Sequence, residues 1–175
     1  MWPLDGLMTF YVLFFIKLDT RKVHIAGVTP HPTEVWMRQV ARNLTMEEWG
    51  ILKPDQYLIH DRDTKFGAAF KKLLDDTGVK RLPLSPKSPN LNAIAERWIR
   101  SVKEEALSKV ILFGESSLCY VLNEYVVYYY QERGHQGLDN VIPFPCSPAA
   151  NDREGPIQCH ERLGGTLKFY DRKAA

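Results

Sequence analysis

The residue types best suited to chemistry are two acids on separate stretches of chain. Asp61 follows the short apolar run Tyr57-Leu58-Ile59-His60, which puts it at the carboxyl end of a predicted strand. Catalytic and ligand-binding groups of α/β sheets collect at such strand ends. Glu96 lies near the start of a long predicted helix, beside Arg100, Lys103 and Glu104 and opposite the apolar positions Leu91, Ala95, Trp98, Ile99, Val102 and Ala106. Two carboxylates from different elements suit a divalent cation, which prefers hard oxygen ligands. Phosphoryl chemistry often uses a pair of such ions about 3.5–4 Å apart. Each acid also has a plainer reading. Asp61 and its neighbour Asp63 would serve as helix N-cap or first-turn acids, the reading favoured for Asp63. Glu96 would form an exposed i,i+4 pair with Arg100, contributing a few tenths of a kcal/mol.

Basic residues gather around Glu96. The segment 80–109 carries Lys80, Arg81, Lys87, Arg97, Arg100, Lys103 and Lys109 against Glu96, Glu104 and Glu105, a net of +4 where the whole chain has +2. A phosphate backbone asks for such a stripe; a solvated helix face also produces one. His24, in an alternating strand, reads as a surface or edge residue, and His60 as buried or hydrogen-bonded beside Asp61. Tyr128-Tyr129-Tyr130 could stack on bases, although helical spacing sends at least one of them into a core. Gly-rich phosphate loops, Cys-x-x-Cys pairs and a serine nucleophile elbow do not occur in the sequence.

These candidates must be positioned by alternating strands and helices. Thr9 to Ile16 is almost entirely β-branched or aromatic and reads as a buried strand covered on both faces. Asp19-Thr20-Arg21 reads as a turn into a second strand, Lys22 to Val28. Thr33 caps a helix with Val35, Trp36, Val40, Ala41 and Leu44 at helical spacing. After the strand ending at His60 comes a helix with Phe66, Ala69, Phe70, Leu73 and Leu74 on one face, stopped by Gly78, then a strand over Val79 to Leu84. Ser88 as N-cap and Pro89 as first residue open the long helix, which runs to about Ser108. A last helix starts near Ser116 with Leu118, Val121, Leu122, Tyr125, Val126 and Tyr129 inward. Beyond it only Thr166 to Tyr170 suggests a strand. Strands alternating with helices define an α/β layer fold, and the opening hairpin makes its sheet mixed.

The 175 residues, 45% hydrophobic and 25% charged, are ordinary for one globular domain and exclude a collagen-like repeat, a coiled-coil rod or a disordered tail. The odd cysteine count, Cys119, Cys146 and Cys159 at no metal-ligand spacing, reads as free thiols of a reducing compartment, and the cytoplasm is the expected location. The apolar run Leu7 to Ile16 is far short of the roughly 20 residues a membrane span needs. It also lacks the positive leader and small-residue cleavage site of a signal peptide.

Two of these stretches resemble a known family. His60-Asp61-Arg62-Asp63-Thr64-Lys65-Phe66 resembles the second-aspartate motif of retroviral-type integrase and DDE transposase catalytic cores, and the segment Ser85 to Trp98 resembles their glutamate motif. The 34 residues between Asp61 and Glu96 fit the spacing of that group. Tyr130 to Leu138, with Arg133 and His135, is similar to a stretch that follows in the transposases of bacterial insertion elements. The resemblance runs from about Thr9 to Leu138. It implies an RNase H-like fold, a mixed sheet flanked by helices, and Mg²⁺- or Mn²⁺-dependent cutting and joining of DNA strands. Carried over by position, Asp61 and Glu96 would be the catalytic, metal-binding carboxylates. Lys87, Asn92, Arg100 and Lys103 would face DNA, and the partners would be element ends, target DNA and further copies of the chain.

The resembled family has a third acid on a strand preceding Thr9 to Leu18, a place that falls before Met1 here. Asp5 and Asp19 sit at turn positions and are poor substitutes. The expectation is therefore a catalytic core over 1–138 lacking its first strand, with a tail of little regular structure over 139–175. The rival expectation is an inactive DNA-binding or self-associating remnant; a ribonuclease of the same fold is a third.

Overall fold

The computed structural model describes residues 8–85, 92–135, 140–145 and 155–172. Its described part divides into two compact units. One unit takes Thr9–Phe15 and Ile25–Ile94, the other Ile16–His24 and the chain from Ala95 onward.

The first unit begins with strand β1, Tyr11–Ile16, paired with β2, Val23–Thr29. The turn end of this hairpin is closed by Lys17 N–H donating to the Lys22 carbonyl at 2.8 Å. The expectation of a strand covered on both faces is not met: β1 is half-buried, because β2 alone pairs with it among the described residues. Leu13 and Phe15, two residues apart, share its packed face.

Helix α1, Glu34–Leu44, starts where Thr33 Oγ accepts the Trp36 N–H at 3.3 Å, as its sequence predicts. Met37, Val40, Ala41 and Leu44 are its buried stripe. Val35, expected inward, is exposed; Met37, two positions on, takes the inward place. Strand β3, Tyr57–His60, then alternates, with Leu58 and His60 buried and Tyr57 and Ile59 exposed. The chain crosses through α2, Ala68–Asp76, to β4, Lys80–Pro83, which runs parallel to β3 with Tyr57 opposite Lys80. A parallel pair needs such a crossover, and the crossover covers the pair's apolar side. α2 packs on α1 and β4, and Phe70 and Leu74 of α2 are fully buried in the cluster with Met37, Leu44 and Val79. Gly78 ends α2 with φ of +77°, a left-handed conformation natural to glycine.

In the second unit, α3 spans Ala93–Glu105 and a 3₁₀ turn follows at Leu107–Lys109. The long helix thus stops sooner than Ser108, and its expected start at Ser88 and Pro89 lies outside the described residues. Helix α4, Gly114–Gln131, begins two residues before Ser116. Trp98, Val102, Ala106, Leu118, Val121, Leu122, Tyr125 and Tyr129 are buried, the apolar faces expected from the helical period.

The stretch 139–175 departs from expectation. It carries an antiparallel hairpin, β5 Ile157–Arg162 with β6 Leu167–Arg172, of which Thr166 to Tyr170 is only one arm. Most β5 side chains are exposed, so neither face shows the alternation that marks a half-buried strand. Arg162 anchors the hairpin instead: its guanidinium reaches Glu132 at 2.6 and 2.9 Å and Glu124 at 2.9 Å.

Candidate active site

In the first unit, Asp61 stands exposed just past the end of β3. Four interactions fix the turn there. His60, buried under Asp61, donates from Nδ1 to the Asp61 carbonyl at 2.6 Å; a carbonyl can only accept, so Nδ1 carries the proton. The His60 ring packs on Phe66 with centroids 5.3 Å apart. Arg62 Nε donates to the Leu84 carbonyl at 2.9 Å, tying the turn to the end of β4. Asp61 Oδ1 accepts the Asp63 N–H at 3.0 Å, an Asx turn.

Asp63 repeats that turn one step on. Its Oδ1 accepts the Lys65 N–H at 2.9 Å, and the Lys65 ammonium lies 3.0 Å from Oδ2. The Lys65 N–H, then its ammonium, hold the Asp63 carboxyl below the usual carboxylate range. Neither acid is a helix cap, as one reading held. The N-cap of α2 is Gly67, and the nearby Ala69 N–H is met by Glu34 Oε1 of α1 at 3.3 Å. The turn chemistry of Asp-x-Asp-x-Lys wins because α2 starts five residues after Asp63.

In the second unit, Glu96 lies in the first turn of α3 and is exposed, as are Arg100 and Lys103. The four-residue spacing makes Glu96 and Arg100 neighbours, yet no ion pair joins them among the described residues. Asn92 precedes α3 and is half-buried; Lys87 and Leu91 lie outside the described residues.

The basic stripe is thinner than its sequence count. Lys80 pairs with Asp55 at 2.9 Å and Arg81 with Asp75 at 2.7 Å, so two of its cations are answered by acids elsewhere. Arg97, Arg100, Lys103 and Lys109 keep no ion-pair partner among the described residues.

The Tyr130-to-Leu138 stretch, as far as it is described, is packed. Arg133 grips Glu105 of α3 with Nε at 2.8 Å and Nη2 at 2.7 Å, and Tyr125 Oη donates to the same carboxylate at 3.2 Å. His135 Nε2 donates to the Tyr129 carbonyl at 2.7 Å, with its ring edge-on to Tyr129 at 4.4 Å. Tyr129 is buried and Tyr128 and Tyr130 half-buried; burial pushes all three hydroxyls above their usual range. Tyr130 donates to the Arg21 carbonyl at 3.3 Å. The three tyrosines are thus packed rather than an open stacking platform. Sequence reasoning found Arg133 and His135 by motif but not their partners, which lie 28 residues away for Glu105 and carry no local cue.

Magnesium or manganese would ask for carboxylate oxygens, and Asp61 and Glu96 are exposed carboxylates of that type. They suit the ion as donors. Among the described residues no group of three His, Cys, Asp or Glu side chains could hold a metal ion. Asp19 accepts the Thr20 N–H at 2.6 Å at the hairpin turn, and Asp5 lies outside the described residues. Cys119 and Cys159 are free thiols, and Cys146 lies outside the described residues. No helix among the described residues is long and apolar enough to cross a membrane.

With this geometry in hand, the fold defines a class: a mixed α/β protein similar to integrase catalytic cores, which are RNase H-like. The catalytic core domain of BIV integrase superposes over 75% of this chain and 81% of its own length, with a TM-score of 0.54 and 18% identity. Residues 77–143 match the family described as integrase core domain. The chain is therefore similar to integrase cores in fold over most of its length, and in sequence over the segment that carries Glu96 and Arg133. No curated protein sequence matches it.

Proposed function

We propose that this chain is the catalytic core of a DNA-cleaving and strand-joining protein of the integrase and transposase kind, a DDE enzyme of a mobile element. Asp61 and Glu96 are its metal-binding acids, with Mg²⁺ or Mn²⁺ as cofactor. The observation that carries the reading is the integrase core domain match over 77–143, which contains Glu96 exposed at the start of α3. The exposed Asp61, on a turn held by His60 and Arg62, supports it.

When bound, the metal ions would supply an activated nucleophile and charge neutralisation at the phosphate. The chain's own residues do the rest. His60 and Arg62 hold the backbone that presents Asp61. Arg100, Lys103, Lys87 and Asn92 bind and orient the DNA end, and assembly of several copies brings two DNA partners together.

The test is strand cleavage of a duplex carrying the element end, with Mn²⁺, in the intact protein. Asp61→Asn and Glu96→Gln should each abolish cleavage while leaving the circular dichroism spectrum unchanged. Normal cleavage by either variant rejects the site assignment.

A second reading, an inactive DNA-binding protein, is favoured by one observation: among the described residues no group of three His, Cys, Asp or Glu side chains could hold a metal ion. Cleavage of the duplex by this chain of 175 residues would reject that reading.

A further inference from the structure

The β5–β6 hairpin lies wholly inside the unit that begins at Ala95, and its two strands are covered unequally. In β6, Leu167 is buried and Phe169 and Asp171 are half-buried, so that face rests on the unit, while Lys168, Tyr170 and Arg172 face solvent. In β5, Ile157, Gln158, Cys159, His160 and Glu161 are all exposed, on both faces. The cover therefore ends at β6. Among the described residues β5 pairs with β6 alone, so its other edge carries backbone N–H and C=O groups with no strand beside them.

Edge strands are ordinarily guarded by charge, by proline or by a bulge. On β5 these guards are missing or cancelled. Pro156 stands just before the strand and not in it. The register runs without a bulge from Ile157 opposite Arg172 to Arg162 opposite Leu167. Each ionisable side chain of β5 other than the Cys159 thiol is answered inside the unit: His160 Nε2 lies 3.0 Å from Asp171, the Glu161 carboxylate 3.0 Å from Lys168, and Arg162 is held by Glu124 and Glu132. What remains outward is apolar in character: Ile157 and Tyr170, 62% and 60% exposed, with Cys159 directly across from Tyr170.

The sequence of β5 is complementary to itself. Antiparallel pairing about a two-fold axis at Cys159 sets Ile157 opposite Glu161 of a second copy, Gln158 opposite its His160, and Cys159 opposite itself. No like charges then meet. Moving the axis to His160 sets imidazole on imidazole, which protonation makes repulsive. Continuing the β5–β6 register outward gives four strands in the order β6, β5, β5, β6. On one face Arg172 is followed by Ile157, then by Glu161 and Lys168 of the copy, so each Glu161 lies between cations of both chains. On the other, Asp171 is followed by Gln158, then by His160 and Phe169 of the copy, which again sets an acid and a base two strands apart across the join.

We infer that the open edge of β5 is an interface between two copies of this chain, joined antiparallel about Cys159 into one four-stranded sheet. The interface needs neither Asp61 nor Glu96 to be catalytic, and it gives the assembly of copies in the proposed function a surface. A six-residue strand makes a short contact, well under the roughly 1,200–2,000 Å² of a stable interface, so the dimer is weak and concentration-dependent.

The experiment is sedimentation equilibrium of the full chain in reducing buffer, without DNA or divalent metal, from about 5 to about 500 µM, a span that brackets a weak interface. The native chain should pass from monomer to dimer, and Cys159→Ser should match it. Cys159→Lys and Cys159→Glu should each dimerise about fivefold more weakly, because like charges then face each other on the axis. An equimolar mixture of these two should recover the native constant. A short bismaleimide should link the native dimer through Cys159, located by mass spectrometry of the joined peptides. Circular dichroism of each variant, and the recovery in the mixture, keep a folding failure apart from a binding one. A native chain that stays monomeric throughout overturns the inference. So does Cys159→Lys dimerising as the native chain does, and so do the two charged variants remaining weak when mixed. A native dimer linked through Cys119 and not Cys159 places the interface elsewhere and overturns it as well. With neither DNA nor metal present, these outcomes are separate from the cleavage that judges Asp61 and Glu96.

Discussion

The turn that presents Asp61 shows how much a single residue can commit. Asp63 accepts the Lys65 N–H and also faces the Lys65 ammonium, and the backbone N–H is the larger of the two influences on its carboxyl. Replacing the ammonium by Lys65→Met should therefore raise the Asp63 midpoint only part of the way to its ordinary value, because the N–H remains. A carbon-detected NMR titration of the Asp63 carboxyl reads this directly, and a midpoint fully restored by Lys65→Met would mean that the ion pair, not the turn, sets it. The sign for stability follows. A carboxyl whose midpoint is lower folded than unfolded stabilises the fold above its unfolded value near pH 4, and that contribution fades as pH drops through the lowered midpoint. With both side chains 37% exposed, the contribution stays small. At this scale the sequence was legible in part. Asp61 and Glu96 stand out as a pair through their motifs and spacing, while each acid by itself also fits a plain structural role at its strand end or helix start. The Asx turns were not legible, because Asp63 was read as serving the helix that follows. The Glu105–Arg133 pair was not either, since its members meet only through tertiary folding.

Helices and parallel strands were easier to read than the hairpin at the far end, and the reason is what each element buries. α1 and α4 have apolar stripes that repeat at the helical period, and α1 has a capping threonine; β3 alternates buried and exposed. The β5 strand exposes nearly all its side chains, so hydrophobic pattern carries no signal there. Its attachment rests on charge. Arg162, about a quarter exposed, satisfies Glu132, 13% exposed, and Glu124. Removing the guanidinium leaves two acids near each other with no counter-ion. The cost lies between that of a surface pair and that of a buried one, about 1–3 kcal/mol. Arg162→Met is expected to lower the unfolding free energy obtained from urea titration by that amount and to speed hydrogen exchange in β5 and β6 before it does so in α4. Uniform acceleration across both elements would show instead that the hairpin and α4 open as one cooperative block.

The described chain does not divide at a single point. The unit that begins at Ala95 also takes in Ile16–His24, from the turn end of the β1–β2 hairpin. Two contacts tie that segment in: Tyr130 donates to the Arg21 carbonyl at 3.3 Å, and the Lys22 ammonium sits 4.7 Å over the Phe144 ring. Each is modest, about 0.5–1.5 kcal/mol for the hydrogen bond and about 0.5–1 kcal/mol for the cation–π contact. Together they bear on the end of α4, where Tyr129, Arg133 and His135 are also held. A fragment of residues 95–175 keeps every contact of Arg133 and His135 but loses both of these. Its α4 amides around Tyr128–Gln131 should exchange faster than in the full chain, by roughly tenfold for about 1.4 kcal/mol of lost protection. Adding a peptide of residues 9–29 in excess should restore part of that protection by mass action. Equal protection with and without residues 16–24 would mean that the hairpin turn is a passenger. The stability of the α4 end would then have to come from the Glu105–Arg133 and Glu132–Arg162 pairs and the buried Tyr125 and Tyr129 alone.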